Sequence, residues 1–184
     1  MGPCRLEIAP RQSPYEALLE SIVYQQLTGK AAATIYARVC ATFGSRRCPR
    51  PAMIADATEE VLRAAGLSRS KAAAVKDLAR KALAKEIPTR RTAEKLSDSE
   101  LVESLTSVRG VGTWTVEMFL IFTLGRPDVL PLDDYGVRKG FARTFGRDVL
   151  PKPKELAALG EKWRPFRTAA SWYLWRALDL DAKG

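Results

Sequence analysis

The chain contains no histidine. That absence removes imidazole general bases, the nucleophilic triads built on them, and the commonest metal ligand. Any chemistry must therefore rest on Asp, Glu, Lys, Cys or Tyr. Cysteine is scarce as well: Cys4, Cys40 and Cys48 are unevenly spaced and form no C-x-x-C pair. They fit neither a disulfide framework, nor a zinc site, nor a four-cysteine iron–sulfur cluster, and Cys40 reads as a core residue. No apolar run approaches the ~20 residues of a membrane span. The N-terminus lacks the charged and then apolar regions of a secretory signal, so the cytoplasm is the expected compartment. Sustained strand alternation, repeats of fixed period and low-complexity tracts are all missing.

What is there is basic. Thirty Lys and Arg residues face 21 Asp and Glu in 184 residues, a net charge of +9. Such an excess suits a polyanionic partner, or simply a solvated basic surface. The hydrophobic share of 46% is ordinary for a globular chain that buries its own core as one domain or two small lobes.

The pattern predicts helices throughout, hence an all-α fold. Ser13-Pro14-Tyr15-Glu16 reads as a capping box with proline at the first helical position. Tyr15, Leu18, Leu19, Ile22 and Val23 then follow at helical spacing. Further helices are expected over 30–43, 52–55, 58–65, 70–85 and 97–105. Ser97-Asp98-Ser99-Glu100 is a second capping box. A helix over 113–124 follows, then one from Asp134 to about Thr144, and a last one over about 165–178. Residues 45–51 and the stretch around Pro151 and Pro153 read as loops.

Residues 105–141, LTSVRGVGTWTVEMFLIFTLGRPDVLPLDDYGVRKGF, are the densest in information. Gly110 and Gly112 sit one residue apart between two helices, where glycine permits positive φ and leaves backbone N–H groups uncovered. With the start of the next helix at Thr113, they could grip a phosphate oxygen; a tight helix–helix turn would look the same. Asp133 and Asp134 precede a helix, as N-caps do. Asp134 is the better cap, because Val137 and Phe141 follow it at helical spacing. A capped carboxylate is held rigidly, which also suits a chemical role.

The run Val108-Arg109-Gly110-Val111-Gly112 through Thr115, with Asp134 about twenty residues on, resembles the helix-hairpin-helix (HhH-GPD) DNA glycosylase superfamily. Four further matches point to its 3-methyladenine DNA glycosylase II-like branch. They are Leu132-Asp133-Asp134-Tyr135; Trp163-Arg164-Pro165-Phe166-Arg167 with Ala170 and Trp175; Ile22-Val23-Tyr24-Gln25-Gln26-Leu27; and Gly66-Leu67-Ser68 with Lys71. Arg109 departs from the family's proline before the first hairpin glycine, where it could add a phosphate contact or loosen the turn.

The resemblance implies a two-lobe helical fold, with one lobe over about 14–128 containing the hairpin at 108–112 and the other formed by 1–13 and 129–184. It implies a monomer that acts on double-stranded DNA containing alkylated bases, associates with the nucleoid through DNA, and uses no cofactor. A monovalent cation at the Val108 and Val111 carbonyls is compatible with it. The expected activity is hydrolysis of the N-glycosidic bond of alkylated purines such as 3-methyladenine and 7-methylguanine. Members that also cleave the backbone carry lysine two residues after the second hairpin glycine; Trp114 stands there, so lyase activity is not expected. Asp134 is the implied catalytic residue, and Trp114, Trp175, Tyr24 and Met118 the base pocket. Arg109, Gly110, Gly112, Thr113, Gln25, Gln26 and Leu27 would meet DNA, with Gln26 first and Leu27 second as the wedge. Leu27 in the core and Tyr24 and Met118 as plain packing are the competing readings. Alternatives for the whole chain are a glycosylase for uracil or etheno adducts, or a noncatalytic hairpin protein that binds damaged DNA.

Overall fold

A computed structural model describes residues 2–9 and 12–179. Among them there is no β-strand, and no helix is long and apolar enough to cross a membrane. Eleven α-helices follow in order: α1 (Pro14–Tyr24), α2 (Gly29–Thr42), α3 (Pro51–Asp56), α4 (Glu59–Ala64), α5 (Arg69–Leu83), α6 (Arg90–Ala93), α7 (Asp98–Thr106), α8 (Thr113–Phe119), α9 (Tyr135–Thr144), α10 (Pro153–Gly160) and α11 (Arg167–Asp179). A π-helical turn, Leu120–Leu124, directly continues α8.

Side-chain caps start many of these helices. Ser13, Thr58, Ser68, Thr89, Ser97 and Asp134 each accept from a backbone N–H of the first turn. Each such cap contributes about 1 kcal/mol. The box at Ser97 and Glu100 closes in both directions. The one expected at Ser13 closes in one: Glu16 is buried, and its carboxylate pairs with Arg47 Nε at 2.5 Å instead of turning back on the helix. A buried carboxylate needs a partner more than a capped helix needs a second bond. Helix α10 lies where a loop was expected after Pro151. Pro153 opens it as a first-turn proline, and Leu156 is its buried anchor.

The chain forms two compact units, Arg11–Phe119 and Met1–Pro10 with Leu120–Gly184. The boundary thus falls at the change from α-helix to π-turn. In the first unit α5 packs against α1, α3 and α4, and α8 against α1 and α7. Leu18, Leu19, Ile22, Leu62, Leu78, Leu101 and Leu105 are fully buried there. Each such side chain contributes about 1.5–3 kcal/mol. Cys40 is buried as expected, and Cys48 is partly buried with its thiol pushed up to about 12 by burial.

The second unit centres on α9 against α11, around Leu130, Val137, Phe141, Leu156 and Leu174. The two helices meet at Gly140, where a Cβ would lie 2.0 Å from the Leu174 carbonyl oxygen. The wide turn at Leu120–Leu124 takes backbone groups out of α-helical register, and the Phe122 carbonyl accepts from Ala9 N–H at 2.7 Å. Ahead of α11, Arg167 Nε and Nη2 donate to the two oxygens of Asp128 at 2.6 and 3.0 Å, and Arg164 adds a bond of 2.7 Å. The hydrogen bonds from Arg167 hold the Asp128 carboxyl below its ordinary range.

Two outcomes follow. Gly140→Ala forces α9 off α11 and should cost about 3 kcal/mol in chemical denaturation; a loss below about 0.5 kcal/mol would mean that the crossing is loose. A depressed carboxylate supplies stability that is present above its unfolded value of about 3.9 and disappears as pH falls through the lower folded value. Asp128→Asn should therefore lower Tm at neutral pH and flatten the decline of Tm toward about pH 2, and an unchanged acid limb would count against this pairing.

Candidate active site

The hairpin is built by one glycine more than by two. Gly110 takes φ +75°, which only glycine adopts without strain. Gly112 does not use positive φ, contrary to the expectation for a pair. Its contribution is empty space, since a Cβ there would meet nothing within 4 Å and the residue is exposed. The backbone is therefore open to an approaching group at the start of α8, the positive end of that helix. Val108 and Val111 are buried, and the Val108 carbonyl accepts from Val111 N–H at 3.0 Å to close the turn. The Arg109 N–H is taken by Asp77 Oδ2 at 2.8 Å, so only the side chain of this exposed residue remains for a phosphate. Asp77, which the sequence did not single out, secures the turn from α5.

The turn between α1 and α2 lies beside the hairpin in the same unit. Gln25 Nε2 donates to the Gly110 carbonyl at 2.9 Å. Gln26 is exposed and takes φ +57°, a left-handed conformation uncommon outside glycine. Leu27 is 39% exposed, which rules out the core placement weighed for it. A cavity of about 480 Å³ opens here, lined by Tyr24, Gln25, Gln26, Leu27, Trp114 and Met118, with Ser21 and Thr115 completing the wall. Trp114 is 45% exposed, too open for a packing role, while Met118 is half-buried. Tyr24 meets the ring of Tyr36 edge-on at 6.4 Å. These aromatic and glutamine side chains, separated in sequence, are thus brought to one concave surface.

The second unit holds the carboxylate. Asp134 caps α9, its Oδ1 accepting from Val137 N–H at 2.7 Å. Trp175 Nε1 donates to the same oxygen at 2.8 Å from α11. One face of the Trp175 ring stacks on Phe122 at 5.9 Å. Trp175, expected as a base-pocket wall, also bonds to the carboxylate within its unit. Asp133 is exposed. Gly136 permits the contact: a Cβ there would lie 2.8 Å from the Trp175 ring and 3.1 Å from Asp134 Oδ1. Neither Gly136 nor Phe122 was legible as a site residue, because each acts only through a side chain distant in sequence. Among the described residues no group of three Cys, Asp or Glu side chains could hold a metal ion.

A helical chain that opens its backbone at a hairpin and clamps one carboxylate at a helix start has the parts of a helix-hairpin-helix protein acting on nucleic acid. Residues 19–165 match the HhH-GPD superfamily of base excision DNA repair proteins, and the chain belongs to that superfamily. It is 40% identical over 170 residues to DNA-3-methyladenine glycosylase 1 of Schizosaccharomyces pombe, covering 92% of this chain and 75% of that one. It is 37% identical over 185 residues to the alkylbase DNA glycosidase-like protein mag2 of the same yeast, covering 100% and 87%. The structure of S. pombe 3-methyladenine DNA glycosylase (Mag1) in complex with abasic DNA matches with a TM-score of 0.86 at 39% identity, over 95% of this chain and 85% of that one.

Gly136→Ala should drive Trp175 from Asp134. A crystal structure of the variant should place Nε1 beyond about 3.5 Å from Oδ1, with a shifted tryptophan emission. A retained bond would show that Gly136 is not required for it.

Proposed function

We propose that this chain is a monofunctional DNA glycosylase of base excision repair that hydrolyses the N-glycosidic bond of alkylated purines and leaves an abasic site. The observation that carries the reading is the double hold on Asp134 Oδ1, by the α9 N-terminus and by the Trp175 indole. A protein that only binds DNA has no use for a rigid carboxylate, whose charge opposes the phosphates. Relatives named for 3-methyladenine and alkylbase excision support the same reading.

The chemistry fits the residue inventory. Alkylation at N3 or N7 of a purine puts positive charge on the base, which weakens the bond to the sugar before any acid acts. The enzyme then needs no imidazole to protonate the leaving group, consistent with a chain without histidine. The target nucleotide rotates out of the stack at a cost of a few kcal/mol. Backbone N–H groups at Gly110, Gly112 and Thr113 and the Arg109 side chain hold phosphate, while Gln26, with Leu27 beside it, fills the space left in the duplex. Trp114 and Tyr24 offer aromatic faces to a cationic base, an attraction of about 0.5–2 kcal/mol. As the bond lengthens, positive charge moves to the sugar. The electrons of that bond pass to the base, which leaves neutral; Asp134 stabilises the oxocarbenium sugar, orients the water that bonds to it and accepts the proton that the water loses. Position 114 is Trp where backbone-cleaving members carry lysine, so no Schiff base forms.

The test is incubation with methylated duplex DNA and identification of the released bases. Release of 3-methyladenine or 7-methylguanine is expected, and Asp134→Asn should reduce it by about 10³-fold or more while retaining DNA binding. Borohydride should trap no protein–DNA adduct. Intact binding without base release would overturn the proposal, and a trapped adduct would overturn its monofunctional part.

A further inference from the structure

Lys71 is partly buried and turns inward to the backbone of another helix. Its Nζ donates to the Val23 carbonyl at 2.7 Å and to the Gln25 carbonyl at 2.6 Å, taking two of its three donor positions into the backbone at the end of α1. The residues that aim it are those of its own local motif. Gly66 turns the chain at φ +107°, and Ser68 caps α5 by accepting from the Lys71 N–H at 3.3 Å. We propose that Lys71 is the positioning residue of the wedge turn, holding Gln26 where it can enter the duplex.

The geometry supports more than an ordinary helix C-cap. A lysine that only capped α1 would need to reach no further than a carbonyl of its last turn, such as that of Val23. The second bond goes to Gln25, the residue immediately before the left-handed Gln26, and orients the peptide that joins them. The side chain of Gln25 is tied at the same time to the Gly110 carbonyl of the hairpin. Residue 25 is thus anchored through its carbonyl by α5 and through its side chain by the hairpin. Left-handed backbone at a glutamine costs about 1–2 kcal/mol, which these bonds offset. Without Lys71, two carbonyls at a helix end lose their partner and only the Gln25 side chain is left to restrain the turn in which Gln26 takes φ +57°. Burial of the ammonium, which lowers its proton affinity, is the cost of placing it there.

This inference rests on the wedge reading of Gln26. The test compares wild type, Lys71→Met, Gln26→Ala and the double variant in single-turnover excision of one methylated purine. The purine is presented either paired within a duplex or opposite an abasic gap that needs no wedge. Lys71→Met should slow excision from the paired duplex by about ten- to a hundredfold. On the gapped substrate, and in the double variant relative to Gln26→Ala alone, the change should stay within about twofold. Equal slowing on both substrates, additive losses, or no slowing would overturn the proposal. Lys71→Gln, whose side chain is shorter and cannot hold both carbonyls, replaces Lys71→Met, with the same outcomes expected, if that variant does not fold. A wild type that releases no base would sink the glycosylase reading and leave this one to 2-aminopurine fluorescence beside an abasic site. There the wild type should raise emission and Lys71→Met should not; equal emission from the two, raised or unraised, overturns the positioning role.

Discussion

Helices α9 and α11 touch through their backbones because Gly140 has no Cβ to strike the Leu174 carbonyl. That approach brings the next residue, Trp175, level with the start of α9. One turn before Gly140, Gly136 leaves room for the indole edge to reach Asp134. The carboxylate then has two donors on one oxygen, from two helices whose spacing is set by two missing side-chain atoms. Groups held this way need no reorganisation when charge develops beside them, which is the condition for strong electrostatic stabilisation. Phe122 completes the arrangement from the π-turn by backing the indole ring. Tightened packing at the crossing is therefore inseparable from the chemistry proposed for the site.

The other unit solves a different problem with the same economy. Its hairpin and its α1–α2 turn are both backbone devices, one leaving space beside Gly112 and one holding a glutamine in left-handed conformation. They are joined by Gln25 to Gly110 and supported by α5 through Asp77 and Lys71. Around them Trp114 and Tyr24 stand open in a concave wall instead of filling the core. An enzyme acting on a base that already carries positive charge can rely on such surfaces and one carboxylate, and the missing histidine is no handicap.

The local features were readable because their physics is local. The Ser97 capping box needs only residues three apart, and it forms as expected. Asp134 was separable from Asp133 because a cap must be followed by buried residues at helical spacing, and Val137 and Phe141 are buried. The hairpin was visible from its glycines, although only Gly110 takes positive φ. Helix α10 was hidden by its prolines, since Pro153 opens a helix as readily as it ends one. The Ser13 box was misread because burial recruited Glu16 to Arg47, 31 positions away.

By itself, the sequence determined the all-helical class, the cap on α9, the exposed hairpin and the absence of imidazole chemistry, each a consequence of residue type and short spacing. The tertiary structure alone decided which distant groups meet. Lys71 finds carbonyls 48 and 46 positions away, and Trp175 finds a carboxylate 41 positions away. Such pairs leave no periodic trace, because their distance in space is set by how helices cross and not by how many residues separate them. Gly136 and Gly140 illustrate the reason: within α9 they are only poor helix formers, and their value exists solely in the space that α11 occupies.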